Sequence, residues 1–97
     1  MRRAARIDAN QPDIVEALRG VGASVQPLHT VGEGCPDLLV AFRMVNYVIE
    51  VKDGAKPPSA RKLTPDQIDW HDAWRAPVFI VETVADALRV IGMEHHA

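Results

Sequence analysis

The 97-residue sequence contains one cysteine, Cys35. A single thiol rules out an internal disulfide framework and a cysteine-rich zinc site, and it fits a reducing compartment. Cys35 itself reads as a small filler residue. No apolar run approaches the roughly 18 residues that a membrane span requires, and the opening MRRAARIDANQPD lacks the apolar stretch of a secretory signal. The expected location is the cytoplasm, with no membrane partner. Neither sign of charge dominates: Lys and Arg number 11 against 13 Asp and Glu, a net of -2. Bulk electrostatics alone would therefore not hold a polyanion. There is no P-loop, GxGxxG or GxSxG, so nucleotide hydrolysis and serine hydrolase chemistry have no support. His29 has no second His or Cys at ligand spacing, and a zinc site is not expected.

What is present is an ordinary globular composition, 47% hydrophobic and 25% charged, in a chain long enough for one core and too short for two. A single domain over residues 1–97 is expected. Its charge is unevenly placed. Residues 38 to 62 carry Arg43, Lys52, Lys56, Arg61 and Lys62 against Glu50 and Asp53, whereas residues 63 to 97 hold six acids against Arg75 and Arg89. With Arg2, Arg3 and Arg6 at the start, a polyanion should meet the front and middle of the chain.

Punctuation and periodicity give the elements. Asn10 or Gln11 can cap a helix with Pro12 and Asp13 in its first turn, Ile14, Val15, Leu18 and Val21 forming its apolar stripe and Gly22 ending it. SVQPLHTV is a short strand broken toward its end, and Gly32-Glu33-Gly34-Cys35-Pro36 is a loop. DLLVAF and VNYVIEVK read as an antiparallel hairpin. DGAKPPSARK is a loop or mobile arm. Thr64, Pro65 and Gln67 form a capping-box start for a helix running to about Arg75. PVFIVE is a strand expected to be buried on both faces, and Thr83 with Asp86 starts a last helix ending near Gly92. The order is αβββαβα, an α/β domain; His95-His96 reads as a solvated tail.

Side chains alternate along a strand, so Glu50 and Lys52 point one way while Ile49 and Val51 point the other. A tight turn at Arg43-Met44 pairs Phe42 with Val45, Val40 with Tyr47 and Leu38 with Ile49, and hence sets Asp37 opposite Glu50. A turn at Val45-Asn46 would break this pairing. Like charges placed so are destabilising unless a cation lies between them. Mg²⁺ suits the place, since it takes one or two carboxylates with waters and substrate phosphate, here Asp37, Glu50 and a carbonyl such as that of Val51. Lys52 can then activate water or stabilise a phosphoryl oxygen; the alternative is a surface lysine paired with Glu50. The Pro-Asp dipeptide alone is weak, because Pro12-Asp13 and Pro65-Asp66 repeat it at helix starts.

Gly34-Cys35-Pro36-Asp37-Leu38-Leu39-Val40, followed by Ile49-Glu50-Val51-Lys52-Asp53-Gly54, resembles the metal-dependent PD-(D/E)XK nucleases. Leu63-Thr64-Pro65-Asp66-Gln67 makes the chain similar to the VRR-NUC branch in its small stand-alone form found in phages and prophages. The resemblance spans about residues 10 to 92. It implies a restriction-endonuclease-like core, a mixed β-sheet flanked by helices, and a DNA-cleaving activity related to that of Holliday-junction resolvases. Asp37 and Glu50 would be ligands of Mg²⁺ or Mn²⁺ and Lys52 the catalytic lysine. Relatives often place an acid on the first helix near the metal; Gln11, Asp13 and Glu16 are on offer, with Gln11 or Asp13 favoured as an outer contact or a ligand of a second ion. Gln67 matches the family's helix glutamine, although its capping role would suffice to explain it.

The resulting expectation is a metal-dependent DNA endonuclease whose Lys56, Arg61 and Lys62 clamp backbone phosphates, with Arg2, Arg3 and Arg6 as further contacts. A catalytically idle nucleic-acid-binding or assembly module of the same fold is the rival. Gln67, His71 and Trp74 share a helix face expected to serve packing. A homodimer is expected, with the Trp70, Trp74 and Phe79 region as its aromatic interface.

Overall fold

A computed structural model describes residues 7 to 93. Arg2, Arg3, Arg6, His95 and His96 lie outside the described residues. Helix α1 (Gln11–Gly20) is followed by strands β1 (Ser24–Pro27), β2 (Leu38–Phe42) and β3 (Val45–Val51). Helix α2 (Pro65–Ala73), strand β4 (Val78–Val81) and helix α3 (Val84–Val90) complete the domain. The sheet order is β1-β2-β3-β4. β1 and β2 run antiparallel, as do β2 and β3, while β4 joins β3 in parallel through the crossover that contains α2.

The β2–β3 pairing follows from the short turn. Phe42 pairs with Val45, Val40 with Tyr47 and Leu38 with Ile49, the register expected from a turn at Arg43-Met44. Both turn residues have positive φ, 51° and 68°, as a type I′ turn demands to match strand twist. Neither side chain favours that region, so the turn stores strain for the sake of register.

Alternation then sorts the sheet into two unlike faces. Leu38, Val40, Ile49, Val51 and Val81 are buried together with Ile14 and Leu18 of α1 and with Ala87 and Ile91 at the α3 end. Each fully buried aliphatic side chain contributes about 1.5–3 kcal/mol. The opposite face carries Leu39, Glu50 and Ile80. β4 is not buried on both faces as its apolar run suggests: Ile80 is 49% exposed. The reason is positional, because β4 is an edge strand, both packed helices lie on one side, and α2 has no buried residue. Phe79 points toward the core face and packs on Tyr47 with ring centroids 5.9 Å apart. It is therefore not part of an exposed aromatic surface.

Helix starts agree with the sequence in two cases and differ in one. Thr64 and Gln67 form a complete capping box, although α2 stops at Ala73 rather than near Arg75. Thr83 caps α3 by accepting from the Asp86 N–H at 3.1 Å. Asn10, by contrast, has helical backbone angles and makes no side-chain cap. Its Nδ2 instead donates to the carbonyls of Lys52 at 3.1 Å and Glu82 at 3.0 Å, tying the ends of β3 and β4 to the start of α1. The segment from Asp53 to Lys62 is held rather than free: the Gly54 N–H donates to the Glu82 carbonyl at 3.1 Å, and Pro58–Ala60 forms a short 3₁₀ turn.

Replacing Arg43-Met44 by Asn-Gly is expected to stabilise the domain, since both new residues tolerate positive φ. Relief of about 1 kcal/mol should raise Tm by about 4–8 °C. A thermal melt with unchanged or lowered Tm would show that the turn is not strained.

Candidate active site

The site assembles where β2 begins and β3 ends. Glu50 and Lys52 share the face opposite the core, and Asp37 precedes β2 by one residue, opposite Glu50 in the same register. All three are buried, at 1%, 8% and 5% exposure respectively. The Asp37 backbone is fixed from one side by the Leu28 N–H, which donates to its carbonyl at 2.7 Å. From the other side its Oδ2 accepts the Val51 N–H at 2.7 Å. Thus Val51 meets Asp37 through its N–H, while the Asp37 and Glu50 side chains lie within hydrogen-bond reach of one another.

Helix α2 supplies the polar lid of this cleft. Its Gln67 performs both roles open to it in sequence. The Gln67 N–H donates to Thr64 Oγ1 at 3.2 Å, and its Oε1 accepts from the Thr64 N–H at 2.9 Å, which completes the cap. The same Oε1 accepts from Lys52 Nζ at 2.7 Å, and Nε2 donates to Glu50 Oε2 at 3.2 Å. One amide thus orients the lysine and one oxygen of the glutamate together. His71, one turn on, places Nε2 3.4 Å from Glu50 Oε1. The first turn of α2 is seated by Gly34, whose φ is +83°; any Cβ there would collide with the Asp66 carbonyl. Glycine is needed at that approach.

Burial dominates the electrostatics. It pushes the Glu50 carboxyl up from 4.5 to about 9, aided by the neighbouring Asp37 and opposed by Lys52, with Asp8 adding a smaller upward push. Burial and the Lys52 charge push His71 down. Both shifts favour uncharged forms, so the close Glu50–His71 approach is a neutral hydrogen bond and not an ion pair, although its distance would admit one. Cys35 is pushed up by burial and by Glu50 and Asp37, which keeps it a thiol and unreactive at neutral pH.

Two buried carboxyl groups side by side, Glu50 pushed toward its protonated form, are an oxygen-only donor set of the kind a hard divalent cation stabilises. The described residues contain no cluster of three His, Cys, Asp or Glu side chains able to hold a metal. Mg²⁺ does not need one, because waters and substrate oxygens complete its octahedron. The residues present fit such an ion.

The remaining candidates are more scattered. Asp13 and Glu16 are exposed on α1; the acid from this end of the chain whose charge reaches Glu50 is Asp8, just before the helix and paired to Lys56 at 3.4 Å. Gln11 is buried, with Oε1 lacking any hydrogen-bond partner, and it lines an apolar groove with Val15, Pro27 and His29. Arg61 is spent on Glu82 at 2.9 Å, whereas Lys62 is exposed. The structure adds two residues that the sequence reading assigned elsewhere or passed over. His71 was placed with packing residues, although its i+4 spacing from Gln67 carries the signal; Asp8 offers none, since only the fold brings it near Glu50.

No family model and no curated protein matches the chain. A solved structure described as a "VRR_NUC domain" is similar to it over 84% of this chain and 88% of that one, at 32% sequence identity and a TM-score of 0.61.

The raised Glu50 value fixes a pH dependence. Between about 4.5 and about 9 the folded protein holds a proton that the unfolded chain releases. That contribution is full below 4.5 and is lost as pH rises toward 9. Melts of the metal-free protein should show Tm falling across this window, as the unfolding free energy drops by up to about 1.4 kcal/mol per pH unit. Glu50→Gln should flatten the curve and be more stable than wild type at pH 8. Parallel curves for the two proteins would refute the assignment.

Proposed function

Because the chain belongs to the VRR-NUC family of nuclease-type folds, we propose that it is a metal-dependent DNA endonuclease that hydrolyses phosphodiester bonds at the Asp37, Glu50 and Lys52 cleft. The observation that carries this reading is the buried, mutually repelling carboxylate pair with a lysine held beside it by Gln67. An idle binding module of the same fold has no use for that costly arrangement.

Each residue has a task in this reading. Asp37 and Glu50 hold Mg²⁺ or Mn²⁺, with the carbonyl of Val51 and the unpartnered Oε1 of Gln11 as candidate further oxygen donors. A bound ion would polarise the phosphoryl group and lower the pKa of the attacking water. Lys52 orients that water or meets charge developing on a phosphoryl oxygen. Gln67 positions Lys52 and Glu50, and His71 holds the second oxygen of Glu50. The Asp53–Lys62 segment, pinned against Glu82, offers Lys56 and Lys62 to backbone phosphates, while Arg61 stiffens it. Branched DNA of the kind resolvases cut is the favoured substrate class. Among the described residues no helix is long and apolar enough to cross a membrane; we assign the protein to the cytoplasm.

Asp37→Asn, Glu50→Gln and Lys52→Ala should each reduce Mg²⁺-dependent cleavage by orders of magnitude while the fold persists by circular dichroism. Mg²⁺ or Mn²⁺ at 100 times its dissociation constant should stabilise wild type by about 2.7 kcal/mol and leave both acid variants unmoved. Wild-type rates in the three variants, or no metal-induced shift in wild type, would turn the assignment toward the idle module.

Neutralising Lys56 and Lys62 should weaken binding to all DNA sequences alike and flatten the slope of log K against log salt by roughly 2 units. An unchanged slope would place the DNA elsewhere.

Two domains are proposed to pair through the open sheet face, where Leu39 and Ile80 are 38% and 49% exposed. Ile80→Glu should reduce the light-scattering mass from a dimer to about 10.7 kDa. A wild-type mass of 10.7 kDa at tens of micromolar would end this idea.

A further inference from the structure

A file of rings leads from the candidate active site to solvent along α2. His71 touches Glu50 Oε1 and meets Trp70 edge to face, with centroids 6.4 Å apart at 79°. Trp70 in turn stacks on Trp74 at 4.7 Å and 21°. Trp74 closes the file and is 47% exposed.

The helix geometry points this file at the substrate. At about 100° per residue, Gln67, His71 and Trp70 fall within roughly 100° of one another, whereas Asp69 and Asp72 lie on the other side; Trp74, the residue that ends the helix, is held to the first face by its stack on Trp70. The acidic face thus turns away from the cleft, and the aromatic face continues it. Trp74 lies two ring contacts beyond His71, by centroid steps of 6.4 and 4.7 Å. Those steps exceed the roughly 3.4 Å between successive bases of one strand, so the base that meets Trp74 lies a few nucleotides from the scissile phosphate. The stacked indoles already show the contact that a base makes with an aromatic plane. A base paired within a duplex has both faces covered by its neighbours; one that is unpaired has a face to offer.

Resting on the nuclease reading above, we propose that Trp74 is a stacking platform for an unpaired base a few nucleotides from the scissile bond, and that it makes the domain select DNA carrying a single-stranded nucleotide over continuous duplex. The structural features that satisfy this requirement include a flap, a gap or an open branch point.

Binding can be measured apart from cleavage in a Glu50→Gln background, using a blunt duplex and the same duplex with a short single-stranded extension. The extended DNA should quench tryptophan emission and bind more tightly than the blunt one. Adding Trp74→Ala should cut the affinity for the extended DNA roughly 5- to 100-fold and leave the blunt duplex almost unchanged; Trp74→Phe should restore most of the difference. An abasic site at one position of the extension should reproduce the Trp74→Ala loss. Equal binding of the two DNAs, or an equal loss on both in Trp74→Ala, would overturn the proposal. So would a Trp74→Ala protein that falls from dimer to monomer with its DNA preference intact. Failure of the nuclease reading would look different: wild type with Mg²⁺ would cut none of the DNAs, and the binding comparison would still read out.

Discussion

Two carboxylates on adjacent strands, both withdrawn from water, repel one another with little solvent to soften the field, and the arrangement of the whole domain can be read as what holds Asp37 and Glu50 in that position. The turn at Arg43-Met44 accepts unfavourable backbone angles to keep the register. The Leu28 and Val51 N–H groups pin Asp37 from two directions. Gln67 and His71 occupy the oxygens of Glu50. In the absence of a cation the protein meets the conflict by keeping a proton, which is why burial and the neighbouring acid raise Glu50 so far.

The sheet shows how one set of alternating residues serves two ends. Ile49 and Val51 build the core with Leu38 and Val81, and their neighbours Glu50 and Lys52 necessarily face the other way. The core is thus what aims the chemistry: a one-residue slip would bury the charged pair among aliphatic side chains and expose the core. Placing both well-packed helices on the aliphatic side leaves the functional side covered only by α2.

Much of this was legible in the residues. The hairpin register, the capping box and the placing of Glu50 and Lys52 on one face depend on local pattern, and pattern survives folding. The exposure of Ile80 was not legible, because VFIV reads the same at the centre of a sheet as at its edge and only the strand order decides. Asn10 looked like a helix cap because its residue type favours one, yet two strand-end carbonyls far along the chain outcompeted the local N–H groups. Asp8 enters the site through tertiary contact alone, whereas His71 follows Gln67 by one helical turn and shares its partner Glu50. The segment after Asp53 reads as mobile from its composition, and it is ordered by one glutamate, Glu82, whose backbone and side chain hold Gly54 and Arg61.

Helix α2 buries none of its residues and is retained by Gly34, its cap and a few polar contacts to Glu50 and Lys52. In a hydrogen-exchange experiment such an element belongs to the low end of the ladder of local openings, well below the aliphatic core. The domain therefore has two stabilities. A melting curve reports the cohesion of the sheet with α1 and α3, whereas the competence of the cleft depends on whether a lightly anchored helix is docked. Warming or mild denaturant can undock the second without disturbing the first, and a substrate or ion that engages both β3 and α2 supplies the missing cohesion at the moment it is bound.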